Sequence, residues 1–582
     1  MSGQSAGASD RLLSSDDGGV VAYVTNGGYI DANAADGLRR SLIDEFHHVY
    51  VFNLRGNQRT AGEVSRREGG KIFDAGSRAT VAITLLVKQP GNAPETGGAL
   101  HYRDIGDYLT RAQKLETLAS ALPSPAEAPP RLSGIEWTTV VPNEHGDWIN
   151  QRTSTFAELV PLVSDDGLAI FEFHTHGLKT NRDAWNYNSS QSRLDSNVRR
   201  MIEFFNSQVD AFSRAERLAG GTVKERAELV KRFVDLDPTK FSWERANFSQ
   251  LAQGRRLDVA DRFEMVGAYR PFHRRWAEGG RKLNSVVGQL QRVFPRPDAA
   301  NYVMALPPPG SSAPPFSVLM SNTLIDYGFY ASSATAIFPR YGYPPVGQAT
   351  GETLLDLLDG NGATEEQRRH NVTDHALSLY RAIDPTAEKD DVFFYVYAVL
   401  HSNDYLRAFA ADLKKSLPRV PLLPTAEGFR AFVAAGRELT RLHAEYETVE
   451  PWPGLTRVHA SGFRDDHPDA YRVLKMKHPK VTDPATGQKV EDRTRIVYND
   501  WITICDIPER AYDYELGSRS AIGWVMDAWR VRTDKASGIV NDPNDWAIEH
   551  DDPTYIVDLV GRVVTVSMRT LEIVDSLPPL EL

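Results

Sequence analysis

Cysteine is nearly absent: the 582 residues contain one, Cys505. A lone thiol excludes an internal disulfide and any zinc site built on cysteines. Long apolar runs are missing too; no stretch approaches the ~20 residues that span a bilayer. The opening residues, MSGQSAGASDRLLSSDDGG, carry neither the basic nor the apolar segment of a signal peptide. The expected location is the cytoplasm, with no membrane partner. Several catalytic signatures are also lacking. GxxxxGK[ST] and GxGxxG, which cradle phosphates, do not occur, and neither do HExxH or GxSxG. His174 and His176 in FHTHG have no nearby carboxylate or further histidine to complete a metal site. Pro468–Lys477 (PDAYRVLKMK) lacks the acid before its lysines that a metal-dependent nuclease needs, and reads as a surface loop.

What is present is ordinary globular material: 41% hydrophobic and 25% charged, enough for sizeable cores. At roughly 150 residues per domain the length predicts several domains. The net charge of −11 argues against a nucleic-acid coat but not against DNA binding, which depends on local clustering of Lys and Arg. Proline-rich stretches at Leu122–Pro130 and Pro307–Pro315 predict breaks near 125 and 310, and a turn-rich patch surrounds Tyr343–Pro345. The second stretch also suits a long loop inside one domain.

Residues 19–120 read as α/β. Gly19–Gly27, His48–Leu54 and Arg78–Lys88 are near-continuous apolar strands. Between the first two, Leu38, Leu42, Ile43 and Phe46 form one helix face. Strands of this kind predict a sheet covered on both faces. Beyond it the pattern predicts a mixed α+β region, helical over 365–445, strand-like at Arg495–Cys505, and helical again at Ala521–Trp529 and Tyr555–Ser567.

Two stretches run against the acidic background. Arg255–Lys282 carries eight Lys/Arg, among them Arg270, Arg274, Arg275 and Lys282, against four acids, with Tyr269, Phe272 and Trp276 interleaved. Arg472–Arg495 holds Lys475 and Lys477 among seven cations against three acids. Both are candidate phosphate-contacting faces; a solvated helix face with aromatics anchoring a core is the alternative. Two polar loops carry residues that suit base edges: Lys179, Thr180, Asn181 and Arg182 in KTNRDAW, and Lys535, Ser537 and Asn541 in TDKASGIVNDPNDW. The same residues also favour turns and helix caps.

These segments carry a resemblance. NGGYIDANAADGLRRSL, VYVFNLRGNQRTAGE and GGKIFDAGSRATVAITLLVK resemble the second half of the methyltransferase domain of Type ISP restriction–modification enzymes. GLKTNRDAW, YRPFHRRW, FPRYGYP, DVFFYVYAVLHSNDYLRAFAADLKKSLPRVPL and TDKASGIVNDPNDW resemble their C-terminal specificity region. The match is collinear from about residue 8 to the C-terminus. The family joins nuclease, helicase, adenine-N6 methyltransferase and target-recognition domains in one polypeptide. The resemblance therefore implies a partial Rossmann-like methyltransferase sheet over 1–122, then a target-recognition region over 131–306 and 316–582, helical at 365–445 and mixed at 446–582. It also implies that the Gly-rich loop for S-adenosylmethionine and the Asn-Pro-Pro-Tyr motif lie upstream of residue 8. No Asn-Pro dipeptide occurs in the chain. The expectation is a recognition module whose partner is double-stranded DNA, with no catalytic residue, metal or cofactor site of its own. S-adenosylmethionine is expected only with the missing methyltransferase half, and an upstream methyltransferase/helicase–nuclease polypeptide is a further candidate partner. Alternatives are one part of a split adenine methyltransferase, or a decayed fragment or scaffold.

Overall fold

The computed structural model describes residues 17–58, 62–73, 78–91, 94, 97–121, 135–216, 223–310, 314–330, 334–344, 367–484 and 487–582. The expected linker Leu122–Pro130 lies outside them. The N-terminal part is a sheet of β1 (Gly19–Asn26), β2 (His48–Arg55), β3 (Val81–Lys88), β4 (Ala99–Asp104) and β5 (Thr138–Val140), in the order β1-β3-β2-β4-β5. β3 lies antiparallel between β1 and β2, so those two run parallel. Parallel strands need a crossover, and α1 (Asp36–Glu45) supplies it. Leu42 on α1 and Phe46 just after it pack with Val49, Val51 and Leu86 from the sheet. β4 joins parallel to β2, and β5 antiparallel to β4.

One expectation changes here. The apolar run of β1 predicts a strand covered on both faces. Instead β1 alternates, with Val20 60% and Val24 54% exposed. Among the described residues β1 pairs only with β3. Val21 and Tyr23 pack on the core side, and no described element covers the opposite side of β1.

The larger region hangs on a central sheet of β6 (Tyr187–Asn188), β7 (Glu264–Arg270), β8 (His273–Glu278) and β9 (Leu324–Ile325), ordered β9-β7-β8-β6. β7 and β8 form a tight antiparallel hairpin whose turn places Phe272 at φ +56°. A second sheet runs 319–321, 303–306, 336–339, 175–176. Its strands 303–306 and 319–321 pair with each other, so the proline-rich stretch at 307–315 connects neighbours within one sheet.

Helices enclose both sheets. α2 (Gln191–Glu216) buries Leu194, Val198, Met201 and Phe205 on one stripe. α3 (Lys389–Val399) is surrounded, every residue from Val392 to Val399 being buried, which is why its sequence is apolar all round. α4 (Ala426–Ala444) crosses α3 closely: a Cβ on Gly436 would sit 1.9 Å from the Phe394 carbonyl oxygen. α5 (Tyr555–Asp575) closes the C-terminal core.

The N-terminal sheet is tied to the helical part by buried charge. Asp147 and Arg39 are both fully buried and lie 3.5 Å apart. Lys415 reaches Asp147 at 2.8 Å, and Arg152 reaches it at 2.9 Å. Burial pushes the Asp147 carboxyl towards its protonated form, but hydrogen bonds from Arg152 and Lys415 outweigh it and hold its pKa well below the usual range.

Candidate nucleic-acid interface

The loop before β6 is built by its own side chains. Thr180 Oγ1 accepts from the Arg182 amide at 3.0 Å and hydrogen-bonds the Asp183 carboxylate. Asp183 also accepts from the Tyr269 hydroxyl at 3.0 Å. This turn puts Asn181 at φ +54°, a left-handed conformation that Asn tolerates better than most residues. Its side chain is thrown outward, where Nδ2 donates to Ser285 Oγ at 3.0 Å. Lys179 bridges Val286 through its backbone and holds its ammonium 5.0 Å over the Tyr327 ring. Thr180 is buried and acts inside the turn.

The second polar loop lies alongside. It is a hairpin pairing Arg532–Thr533 with Val540–Asn541. Asp534 Oδ1 accepts from both the amide and the hydroxyl of Ser537 at 2.7 Å, which fixes the turn and leaves Lys535 exposed at its tip. Ser537 itself is buried. Asn541 accepts the Ser189 amide at 2.8 Å, next to β6, and Ile539 packs in one cluster with Trp185 and Leu283. At the base of the hairpin Val531 donates to the Leu474 carbonyl at 3.2 Å, which brings in the segment carrying Lys475 and Lys477. Both lysines are exposed and make no ion pair among the described residues. Segment 179–181 is thus joined to 285–286, and the 532–541 hairpin to both Ser189 beside β6 and the segment 474–477.

Arg182 and the cations of the first basic stretch behave differently. Arg182 is buried, donates to Asn247 Oδ1 at 2.7 Å and lies 3.7 Å from Glu244. Burial pushes its guanidinium down to about 10. Arg274 is held by Glu447 at 2.5 Å and donates to Asn322 and to the Ala444 carbonyl, both at 2.9 Å. Arg270 pairs with Asp326 at 2.6 Å, and Lys282 with Asp261 at 2.8 Å. The local positive excess is thus offset by acids, several of them distant in sequence. Arg275 is a buried exception. It is 6% exposed, stacks 4.2 Å over the Tyr269 ring, and has no carboxylate within salt-bridge distance among the described residues. Its one hydrogen bond goes to His273 Nε2 at 3.4 Å. Arg270 stacks 4.0 Å from the same ring.

The sequence reading missed three cations. Arg519, Arg530 and Arg532 all reach Asp527, at 2.6, 3.2 and 3.3 Å. The only signal was Arg530-Val531-Arg532 ahead of the polar loop, too short to stand out. Among the described residues no group of three His, Cys, Asp or Glu is placed to hold a metal, and His174 stacks on Phe338. No helix among them is long and apolar enough to cross a membrane.

Polar, cation-bearing loops thus stand on a mixed α/β scaffold. The chain belongs to the Type ISP C-terminal specificity domain family, whose model matches residues 169–559. Among solved structures it is similar to LlaGI, a Type ISP restriction–modification enzyme captured as a nuclease-deletion mutant with a DNA substrate mimic. That match has 37% identity and a TM-score of 0.79, covering 98% of this chain and 40% of LlaGI. It is also similar to the ATP-dependent Type ISP enzyme LlaBIII bound to DNA, at 32% identity and TM-score 0.79, covering 99% of this chain and 33% of that one. The DrdV–DNA complex matches at 27% identity and TM-score 0.76, covering 99% and 52% respectively. The chain therefore spans about half or less of the length of each. No curated protein matches it.

Proposed function

We propose that this chain is a double-stranded-DNA target-recognition module of a Type ISP-like restriction–modification system. The observation that carries this reading is a set of exposed polar side chains on linked loops: Lys535 at the hairpin tip, Lys475 and Lys477 on the segment that the hairpin base hydrogen-bonds, and Lys179 and Asn181 on the loop before β6, with their polar ends free for a ligand or only lightly engaged. Phosphate contacts from the lysines position the duplex, and Asn181 with Lys179 offers donors and acceptors to base edges. The DNA in the LlaGI and LlaBIII structures supports the same partner here. A competition gel-shift series tests it. Cognate duplex selected from a random pool is bound with an affinity that falls steeply between 50 and 200 mM salt, on the order of 10³-fold or more for six or more phosphate contacts. Absence of duplex binding, or salt-independent binding, refutes it.

A second reading rests on β1. Its one-sided pairing and its exposed Val20 and Val24 suit the inner part of a wider, Rossmann-like methyltransferase sheet completed by further polypeptide. The Gly-rich loop and the Asn-Pro-Pro-Tyr motif that would serve S-adenosylmethionine and the target adenine do not occur in this chain. The Gly27-Gly28 turn after β1 lines a pocket with Asp31, Asn53, Glu68 and Thr80. No methyl-transfer step is derived from this chain. Co-expression with an upstream segment carrying the Gly-rich loop and Asn-Pro-Pro-Tyr tests this reading. A stable complex that methylates adenine supports it, and failure to associate counts against it.

A further inference from the structure

At the base of the 532–541 hairpin one carboxylate faces three guanidiniums. Asp527 holds Arg519, Arg530 and Arg532, and Arg532 also donates to the Asp527 carbonyl at 2.8 Å. A single negative charge leaves two of these positive charges without compensation. The guanidiniums are not sealed inside: the side chains of Arg530 and Arg532 are 31% and 45% exposed. Behind them lies Arg275, buried and without a carboxylate partner among the described residues. Burial, and then the charges of Arg270 and Arg532, push Arg275 down to about 10, so Arg532 stands within electrostatic reach of it. His273, buried beside Arg275, has an Nδ1 with no hydrogen-bond partner. Gathering like charges costs free energy unless an anion shares the site. A guanidinium pair offers the planar, two-pronged donors that a tetrahedral phosphate accepts.

We propose that Arg530 and Arg532, oriented by Asp527 and backed by Arg275, form a clamp for one backbone phosphate of the bound duplex. This rests on the DNA-recognition reading and adds a site to it. The clamp borders the face formed by Lys179, Asn181 and Lys535, because Arg532 opens the hairpin whose tip is Lys535. Asp527 is here a positioning residue that fixes the arginine forks before the ligand arrives. A phosphate carries no sequence information, so the clamp sets register on the duplex while Asn181 and its neighbours set preference.

The test uses the full chain with cognate and scrambled duplexes across a salt series. Arg530→Gln and Arg532→Gln each lower the slope of log affinity against log salt by about 1, and the double variant by about 2, with equal losses on both duplexes. Arg532→Lys keeps the slope, because the charge remains, while binding both duplexes more weakly. Thermal midpoints and far-UV spectra match the parent. If the parent binds duplex and the variants keep its slope, the clamp is refuted and the recognition reading stands. If Arg532→Gln weakens the cognate duplex alone at unchanged slope, the contact is to a base and the phosphate assignment falls. If the parent binds no duplex, both fall.

Discussion

Arg182 and Asn181 are neighbours in one turn, and exchanging each gives opposite phenotypes. The Arg182 side chain is 2% exposed, donates to Asn247, and lies 5.1 Å over the Phe241 ring. Truncation to alanine removes that packing and leaves a cavity. By analogy with buried long apolar side chains the loss is about 2–5 kcal/mol. Methionine refills most of the volume. The charge it removes was disfavoured where it stood, since burial pushes Arg182 down to about 10. Asn247 keeps a partner in the Glu244 amide at 3.1 Å, and Glu244 retains access to water. Arg182→Met therefore costs less than the alanine, because the partner it leaves, Glu244, is partly exposed and is not an uncompensated buried charge. Asn181→Gly keeps the positive φ without strain and removes only the exposed amide. It leaves the urea midpoint unchanged and weakens cognate DNA by about 1–3 kcal/mol, with altered sequence preference. Urea unfolding and a binding series against single-base-pair variants of the cognate site read both effects. The reasoning is refuted if Arg182→Met abolishes binding at unchanged stability, or if Asn181→Gly leaves sequence preference intact.

Three further outcomes follow from buried groups. Asp147→Asn strips the shared partner from Arg39 and Lys415; removing one member of a buried pair costs about 3–5 kcal/mol, and the N-terminal sheet should become cleavable by limited proteolysis while residues 169–559 resist. Gly436→Ala drives a methyl into the Phe394 carbonyl oxygen, so α3 and α4 must separate, lowering the thermal midpoint by at least the equivalent of about 1–3 kcal/mol. His401 is pushed from 6.5 down to about 4 by burial, so the unfolded chain binds more protons between those values. Its contribution is complete above pH 6.5 and is lost on acidification through that window, about 3 kcal/mol by pH 4; His401→Phe should flatten this dependence in urea titrations.

Elements were legible where periodicity was long and local. β1, β2, α1 and β3 fall within a few residues of their sequence positions, as does the helix Ala521–Ala528, while the helix read at Tyr555–Ser567 runs on to Asp575. β4 (ALHYRD) was missed because its polar residues break the apolar pattern, and its place is set by pairing with β2. The site was legible as segments but not as side chains. Asn181 and Lys535 stand exposed on the two polar loops. Arg274 meets Glu447, and Arg262 meets Asp195, across separations that a local charge count cannot see. The clamp arginines were invisible for the converse reason, as their meaning comes from sharing Asp527 and from standing in front of Arg275.

This division explains how a chain of net charge −11 can present the proposed DNA face. Acids are spent on interior arginines: Glu244 lies near Arg182, Asp326 pairs with Arg270, and Glu447 pairs with Arg274. Those interior pairs hold the elements from which the loops emerge. The exposed lysines and Asn181 then face solvent with little opposing charge, and an overall negative balance does not weaken them beyond the ~8–10 Å over which salt screens. It also follows that preference and stability are separable at single-residue spacing. A substitution at Asn181 or Lys535 changes what is presented to a groove, whereas the folding determinants sit one residue away at Arg182 and two away at Ser537. A recognition face built this way can change its target by exchanging exposed side chains while the turns that carry them, fixed by Thr180–Asp183 and by Asp534–Ser537, stay in place.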